Sequence, residues 1–71
     1  MSTKLIVHLR AHRTKAGMTQ AALADAVGVS RKTINTIENG VFTPSTTLAL
    51  YLAEELDCSV HDLFELPDEG E

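Results

Sequence analysis

No lysine or arginine occurs after position 32 of this 71-residue chain, and cysteine occurs once, as Cys58. A single cysteine excludes a disulfide framework and fits a reducing, cytoplasmic setting. No run of about 18 apolar residues exists, so no segment is expected to span a membrane. The opening M-S-T-K-L-I-V-H-L-R carries too short an apolar run for a secretory signal. Internal repeats and low-complexity tracts are absent. So are a Ser-His-Asp arrangement and a phosphate-cradling glycine loop, and a chain this short has little room for a substrate pocket. Enzymatic activity is therefore not expected.

Length bounds the rest. A domain of this size buries only about 60% of its unfolded surface, and oligomerisation is a common remedy for the thin margin that results. The net charge of −4 argues at first against a nucleic-acid partner. Its distribution reverses that impression. Positions 1–40 hold six bases (Lys4, Arg10, Arg13, Lys15, Arg31, Lys32) against two acids (Asp25, Glu38), a balance of +4. Positions 41–71 hold eight acids and no Lys or Arg, a balance of −8. A local basic face can hold phosphate on an acidic protein, so the position of the bases matters more than the total. The acidic half is expected to face away from DNA.

Helix punctuation divides the chain into five short segments. A first helix is expected over about Lys4–Ala16, where Leu5, Leu9, His12 and Ala16 form one stripe and Gly17 stops it. Thr19 caps a second helix with Leu23, Ala24 and Val27 inward. Gly28 and Val29 form a tight turn. Ser30 caps a third helix that runs to about Asn39 and closes at Gly40. A fourth is expected from Thr43 as N-cap, with Pro44 at its first position, to about Leu56, with Leu48, Ala49, Leu52, Ala53 and Leu56 inward. Ser59 and Asp62 form a capping box for a fifth, with Val60, Leu63 and Phe64 as its apolar side. The ends, Ser2–Leu5 and Phe64–Leu66, are candidates for a tiny two-stranded ribbon. Residues 1–66 thus form one all-α domain, followed over 67–71 by an acidic, flexible tail.

Gln20 to Asn39 carry the functional signal. They read helix, three-residue turn, helix. On the second of these helices Ile34 and Ile37 share one face, and Arg31, Lys32, Asn35 and Thr36 share the other. An apolar back with a basic, amide-bearing front suits a helix that lies in the DNA major groove. The bland readings are two ordinary packed helices with a solvated outer face; the place of Arg31 and Lys32 on the first turn favours the groove. Cys58 reads as a small buried hydrophobe. His8, His12, Cys58 and His61 imitate zinc-ligand spacing, but His12 falls on the apolar stripe, and His8 and His61 are expected to point to solvent. Neither metal nor cofactor is expected.

The run R-T-K-A-G-M-T-Q-A-A-L-A-D-A-V-G-V-S-R-K-T-I-N-T-I-E-N-G-V-F-T-P-S resembles the Cro/C1-type (XRE) helix-turn-helix family of prokaryotic and phage regulators. The resemblance covers roughly residues 4–66. T-Q-x-x-L-A, G-V-S-R-x-T-I, I-E-N-G and P-S stand in the family's order and spacing. It implies a compact five-helix, lambda-repressor-like domain. It also implies a sequence-specific, homodimeric repressor of double-stranded DNA that reads a pseudo-palindrome. Base reading would fall to Arg31, Lys32, Asn35 and Thr36. Arg31 and Lys32 suit guanine O6 and N7, and Asn35 suits adenine N6 and N7. Phosphate contacts would fall to Thr19, Gln20, Ser30, Thr33, Asn39, Gly40 and Thr43. Arg13 and Glu38 match an ion pair that sets the angle of the recognition helix. Three departures stand out: Val41 and Phe42 replace basic residues, His12 replaces a leucine, and Thr46 replaces an apolar residue. Phe42, Leu50, Tyr51 and Leu66 are the candidate dimer surface. An alternative within the same fold is an antitoxin or bridging module that binds a partner protein through its acidic half.

Overall fold

A computed structural model describes residues 4–68. The elements, in chain order, are β1 (Ile6–Val7), α1 (Leu9–Lys15), α2 (Gln20–Val27), α3 (Arg31–Glu38), α4 (Thr46–Glu55), α5 (Val60–Leu63) and β2 (Phe64–Glu65). Helices α2 and α3 pack on each other, α2 also packs on α4, α4 on α5, and α1 on α3. Leu9, Leu23, Ile34, Ile37, Leu52 and Leu63 are fully enclosed, one or two from each helix, so a single core unites all five. At about 25 cal/mol per Å² of apolar surface, each such side chain adds roughly 1.5–3 kcal/mol.

Local chemistry places most helix starts. The Thr19, Ser30 and Ser59 side chains accept hydrogen bonds from the N–H groups of Ala22, Thr33 and Asp62. In return, the Asp62 carboxylate accepts from the Ser59 N–H at 2.9 Å, completing the capping box. Between α2 and α3 the chain reverses at Gly28, whose φ of +79° is left-handed. A Cβ there would meet nothing within 4 Å, so the requirement for glycine is conformational rather than steric.

Two boundaries differ from the sequence reading. The first helix starts at Leu9, not Lys4, because Ile6 and Val7 pair antiparallel with Glu65 and Phe64. Both residues are β-branched, and Leu5 and Val7 still pack on the core from the extended chain. The ribbon therefore forms, with its first strand later than Ser2–Leu5; Ser2 and Thr3 lie outside the described residues. The His8 N–H donates to the Leu63 carbonyl at 2.8 Å, and His8 Nε2 lies 2.7 Å from Glu65 Oε1. The second difference is at α4, where Ser45, not Thr43, is the N-cap and accepts from the Leu48 N–H. Pro44 thus precedes the cap instead of opening the helix. Thr46 takes the first helical position and is exposed, so its hydroxyl does not weaken the core. Ala16, expected on the buried stripe, is exposed as the C-cap of α1, and His12 is half-buried.

Of the expected acidic tail, Glu69, Gly70 and Glu71 lie outside the described residues. No helix among the described residues is long and apolar enough to cross a membrane. Cys58 is half-buried. Burial, reinforced by the charges of Asp62 and Asp57, pushes its thiol up, away from the nucleophilic thiolate.

Candidate nucleic-acid interface

Helix α3 is divided lengthwise. Ile34 and Ile37 are fully buried against the rest of the domain, whereas Arg31, Lys32 and Asn35 are exposed. Spacing of three and four residues puts each set on one side of the helix. Arg31 and Lys32, on the first turn after the cap, make no hydrogen bond or ion pair among the described residues. Thr36 is half-buried, and its hydroxyl donates to the Thr33 carbonyl at 2.9 Å.

Around this face lie short polar side chains and a tight turn. The Ser30 and Thr33 hydroxyls meet at 3.0 Å beside the start of α3. Thr19, Asn39, Gly40 and Thr43 are exposed. Gly40 turns the chain with φ +75°, and the Val41 and Phe42 N–H groups both donate to the Thr36 carbonyl. Phe42 lines a shallow depression with Lys32, Thr33, Thr36 and Val41, beside the outer face of α3. Leu50 and Tyr51 line another depression with Thr47 and Glu54.

Behind the exposed face sits a polar network. Arg13 is 11% exposed and Glu38 not at all at their side chains; Arg13 Nε donates to Glu38 Oε2 at 2.5 Å and Nη2 to Oε1 at 3.1 Å. Arg13 Nη1 also donates to the Met18 carbonyl at 2.9 Å, tying α1 to the loop before α2. Sequence reasoning paired these two side chains but missed two further donors. Arg10 Nε reaches Glu38 Oε1 at 3.3 Å, and its Nη2 reaches Asn39 Oδ1 at 3.2 Å. Gln20 Nε2 donates to Glu38 Oε1 at 3.0 Å and to Asn35 Oδ1 at 3.1 Å. These contacts join residues 15 to 29 positions apart, so only the packing of α1, α2 and α3 reveals them.

The network sets the charge of Glu38. Burial raises its carboxyl, but hydrogen bonds from Arg13 and Gln20, with the Arg13 charge and the Arg10 bond, outweigh that and hold it below the ordinary carboxylate value. The bond to Glu38 in turn raises the Arg13 guanidinium against the opposing effect of burial. A carboxyl lowered by folding stabilises above its unfolded value, about 4.3, and that contribution fades as pH falls through the folded value. Thermal melts followed by circular dichroism are therefore expected to drop as pH falls below about 4. In Glu38→Gln that part of the slope should disappear; an unchanged slope would place the acid sensitivity elsewhere.

Comparison with known proteins agrees with this geometry. Residues 9–63 match the helix-turn-helix family model. An HTH-type transcriptional regulator of Archaeoglobus fulgidus is 44% identical over 61 residues, covering 86% of this chain and 87% of its own. The restriction-modification controller protein C.AhdI of Aeromonas hydrophila superposes with a TM-score of 0.75 at 35% identity, over 80% of this chain and 86% of that one. SinR, a master regulator for biofilm formation, superposes in its DNA complex with a TM-score of 0.71 at 27% identity, over 76% of this chain and 87% of that one. SinR is also similar in its complex with the SinI protein, with a TM-score of 0.72. With its helix-turn-helix geometry and a match spanning most of its length, the chain belongs to the Cro/C1-type (XRE) helix-turn-helix family of transcriptional regulators.

Proposed function

We propose that the protein is a sequence-specific DNA-binding repressor that acts as a homodimer, each subunit laying α3 into a major groove. One observation carries this reading: α3 seals Ile34 and Ile37 into the core and leaves Arg31, Lys32 and Asn35 exposed on its outer side. Arg31 and Lys32 donate to guanine O6 and N7, Asn35 bonds a base edge, and Thr36 contacts a thymine methyl. Phosphates are held by the free N–H groups at the start of α2, by Thr19, Ser30, Thr33 and Thr43, and by the Asn39–Gly40 loop. Val41 and Phe42 add no charge there, which lowers affinity relative to a basic loop.

The dimer forms through the acidic half. Leu50, Tyr51 and Leu66 are 57%, 55% and 74% exposed, and Leu50 borders an apolar groove lined by Leu5, Pro44, Ala49, Val60 and Phe64. A second copy covering this surface would present two recognition helices to half-sites about 34 Å apart. Selection from a random duplex pool is expected to return a pseudo-palindrome with half-sites roughly 10 base pairs apart. A single asymmetric half-site would contradict the dimer, and no enrichment would contradict base reading.

The SinR–SinI complex favours one second reading, in which the chain also assembles with a partner protein. Partner binding retained after Arg31→Ala and Lys32→Ala would support it.

A further inference from the structure

The Gln20 amide is held at both hydrogens. One points to Glu38 Oε1 at 3.0 Å and the other to Asn35 Oδ1 at 3.1 Å. An amide nitrogen has two N–H donors, so none remains. Its orientation is dictated by Glu38. That carboxylate has four donors on it, from Arg13 Nε and Nη2, Arg10 Nε and Gln20 Nε2, and an ionised carboxylate can only accept. Turning the Gln20 amide over would set its oxygen against the carboxylate. With Gln20 fixed as the donor, Asn35 must offer its oxygen inward, because an NH2 group there would face another NH2 group. The Asn35 NH2 is left on the far side of the amide, on the exposed part of α3.

We propose that Gln20 is a positioning residue that fixes the polarity of Asn35, so that Asn35 reads DNA as a hydrogen-bond donor. The inference rests on base reading by α3, proposed above. It changes the base that Asn35 favours. Pairing with adenine N6 and N7 needs the amide oxygen and nitrogen both directed at the base. With Oδ1 held by Gln20, the outward NH2 seeks acceptors alone, and guanine O6 and N7 or thymine O4 present them with no competing donor. Adenine also offers N7, but beside an N6–H2 donor that faces the outward NH2, and cytosine offers only its N4–H2 donor, so both rank below guanine and thymine. It also reassigns Gln20, whose side chain has no N–H left for a phosphate; only its backbone N–H, at the first position of α2, stays available for one.

The test is selection from a random duplex pool with the wild-type chain, Asn35→Ala, Gln20→Ala and Gln20→Met. Asn35→Ala identifies the position that Asn35 reads, by loss of preference there alone. At that position the wild type should enrich guanine or thymine over adenine by about tenfold. Both Gln20 variants free the Asn35 amide to rotate, and adenine should rise to parity or above. Gln20→Met preserves side-chain length but donates nothing, so it serves if Gln20→Ala folds poorly. Adenine enriched by the wild type at that position, or a preference unmoved in the Gln20 variants, would overturn the proposal. If Asn35→Ala erases no position while the wild type still selects a site, the relay fails and base reading by the other residues stands. Absence of any wild-type preference would remove both.

Discussion

Arg13→Ala is expected to destabilise the domain by about 3 kcal/mol. The reason is the residue left behind. Glu38 keeps a fully buried carboxylate side chain, and Arg13 supplies two of its four hydrogen bonds and its nearest charge. Removing one member of a buried pair costs roughly 3–5 kcal/mol, because the other charge stays enclosed. The bonds from Gln20 and Arg10 keep the cost at the lower end. An exposed pair at the same distance would contribute under about 1 kcal/mol. A chain of this size has roughly 4–10 kcal/mol of stability in all. The loss should lower the melting temperature by about 10–25 °C, read by circular dichroism or calorimetry. Arg10→Ala is the control. Its side chain is 60% exposed and touches the same carboxylate, so it should change stability by under about 1 kcal/mol. Equal losses from the two variants would show that burial does not set the strength of this network.

The second large effect concerns DNA. Arg31→Ala and Lys32→Ala together should weaken binding to a selected site by roughly 2–6 kcal/mol, from about 1–3 kcal/mol for each bidentate contact. Folding should be untouched, since both side chains are exposed and neither makes a hydrogen bond or ion pair among the described residues. Loss of a base-reading side chain relaxes preference at its own position, whereas loss of a phosphate contact would lower affinity on every sequence and reduce the salt slope by about 1. Anisotropy titrations at several salt concentrations separate these outcomes. A double variant that melts early would instead mean that the two side chains serve the fold.

Much of this architecture was legible in the sequence, because its determinants are local. Thr19, Ser30 and Ser59 stand directly before apolar periodic runs, and each caps the helix that follows. Gly28 marks a turn that needs positive φ. Ile34 and Ile37, three apart, could share only one helical face. The misplacements came where local signals were degenerate. Leu5 and Leu9 are one helical turn apart, so the stripe looked continuous. Leu5 reaches the core from extended chain, and strand pairing with Phe64 and Glu65, nearly sixty residues away, decides the matter. Thr43 and Ser45 are both good caps on either side of Pro44, and which of them bonds the α4 backbone depends on how that helix packs.

The site was legible to the same depth. Composition and spacing put Arg31, Lys32 and Asn35 on an exposed face. They did not reveal that Gln20 and Arg10 converge on Glu38, because convergence depends on how α1 and α2 cross α3. The amide polarity of Asn35 follows from that convergence and has no sequence signature.

Operator recognition depends on the outer face of α3 being a surface that distinguishes one duplex from another. Competition binding at modest salt addresses this, with a selected duplex set against a shuffled duplex of the same length and composition. The geometry predicts a preference of at least about a thousandfold for the selected site, falling steeply in the Arg31→Ala, Lys32→Ala double variant. Equal affinity for the two duplexes, or a preference that survives the double variant intact, would contradict it.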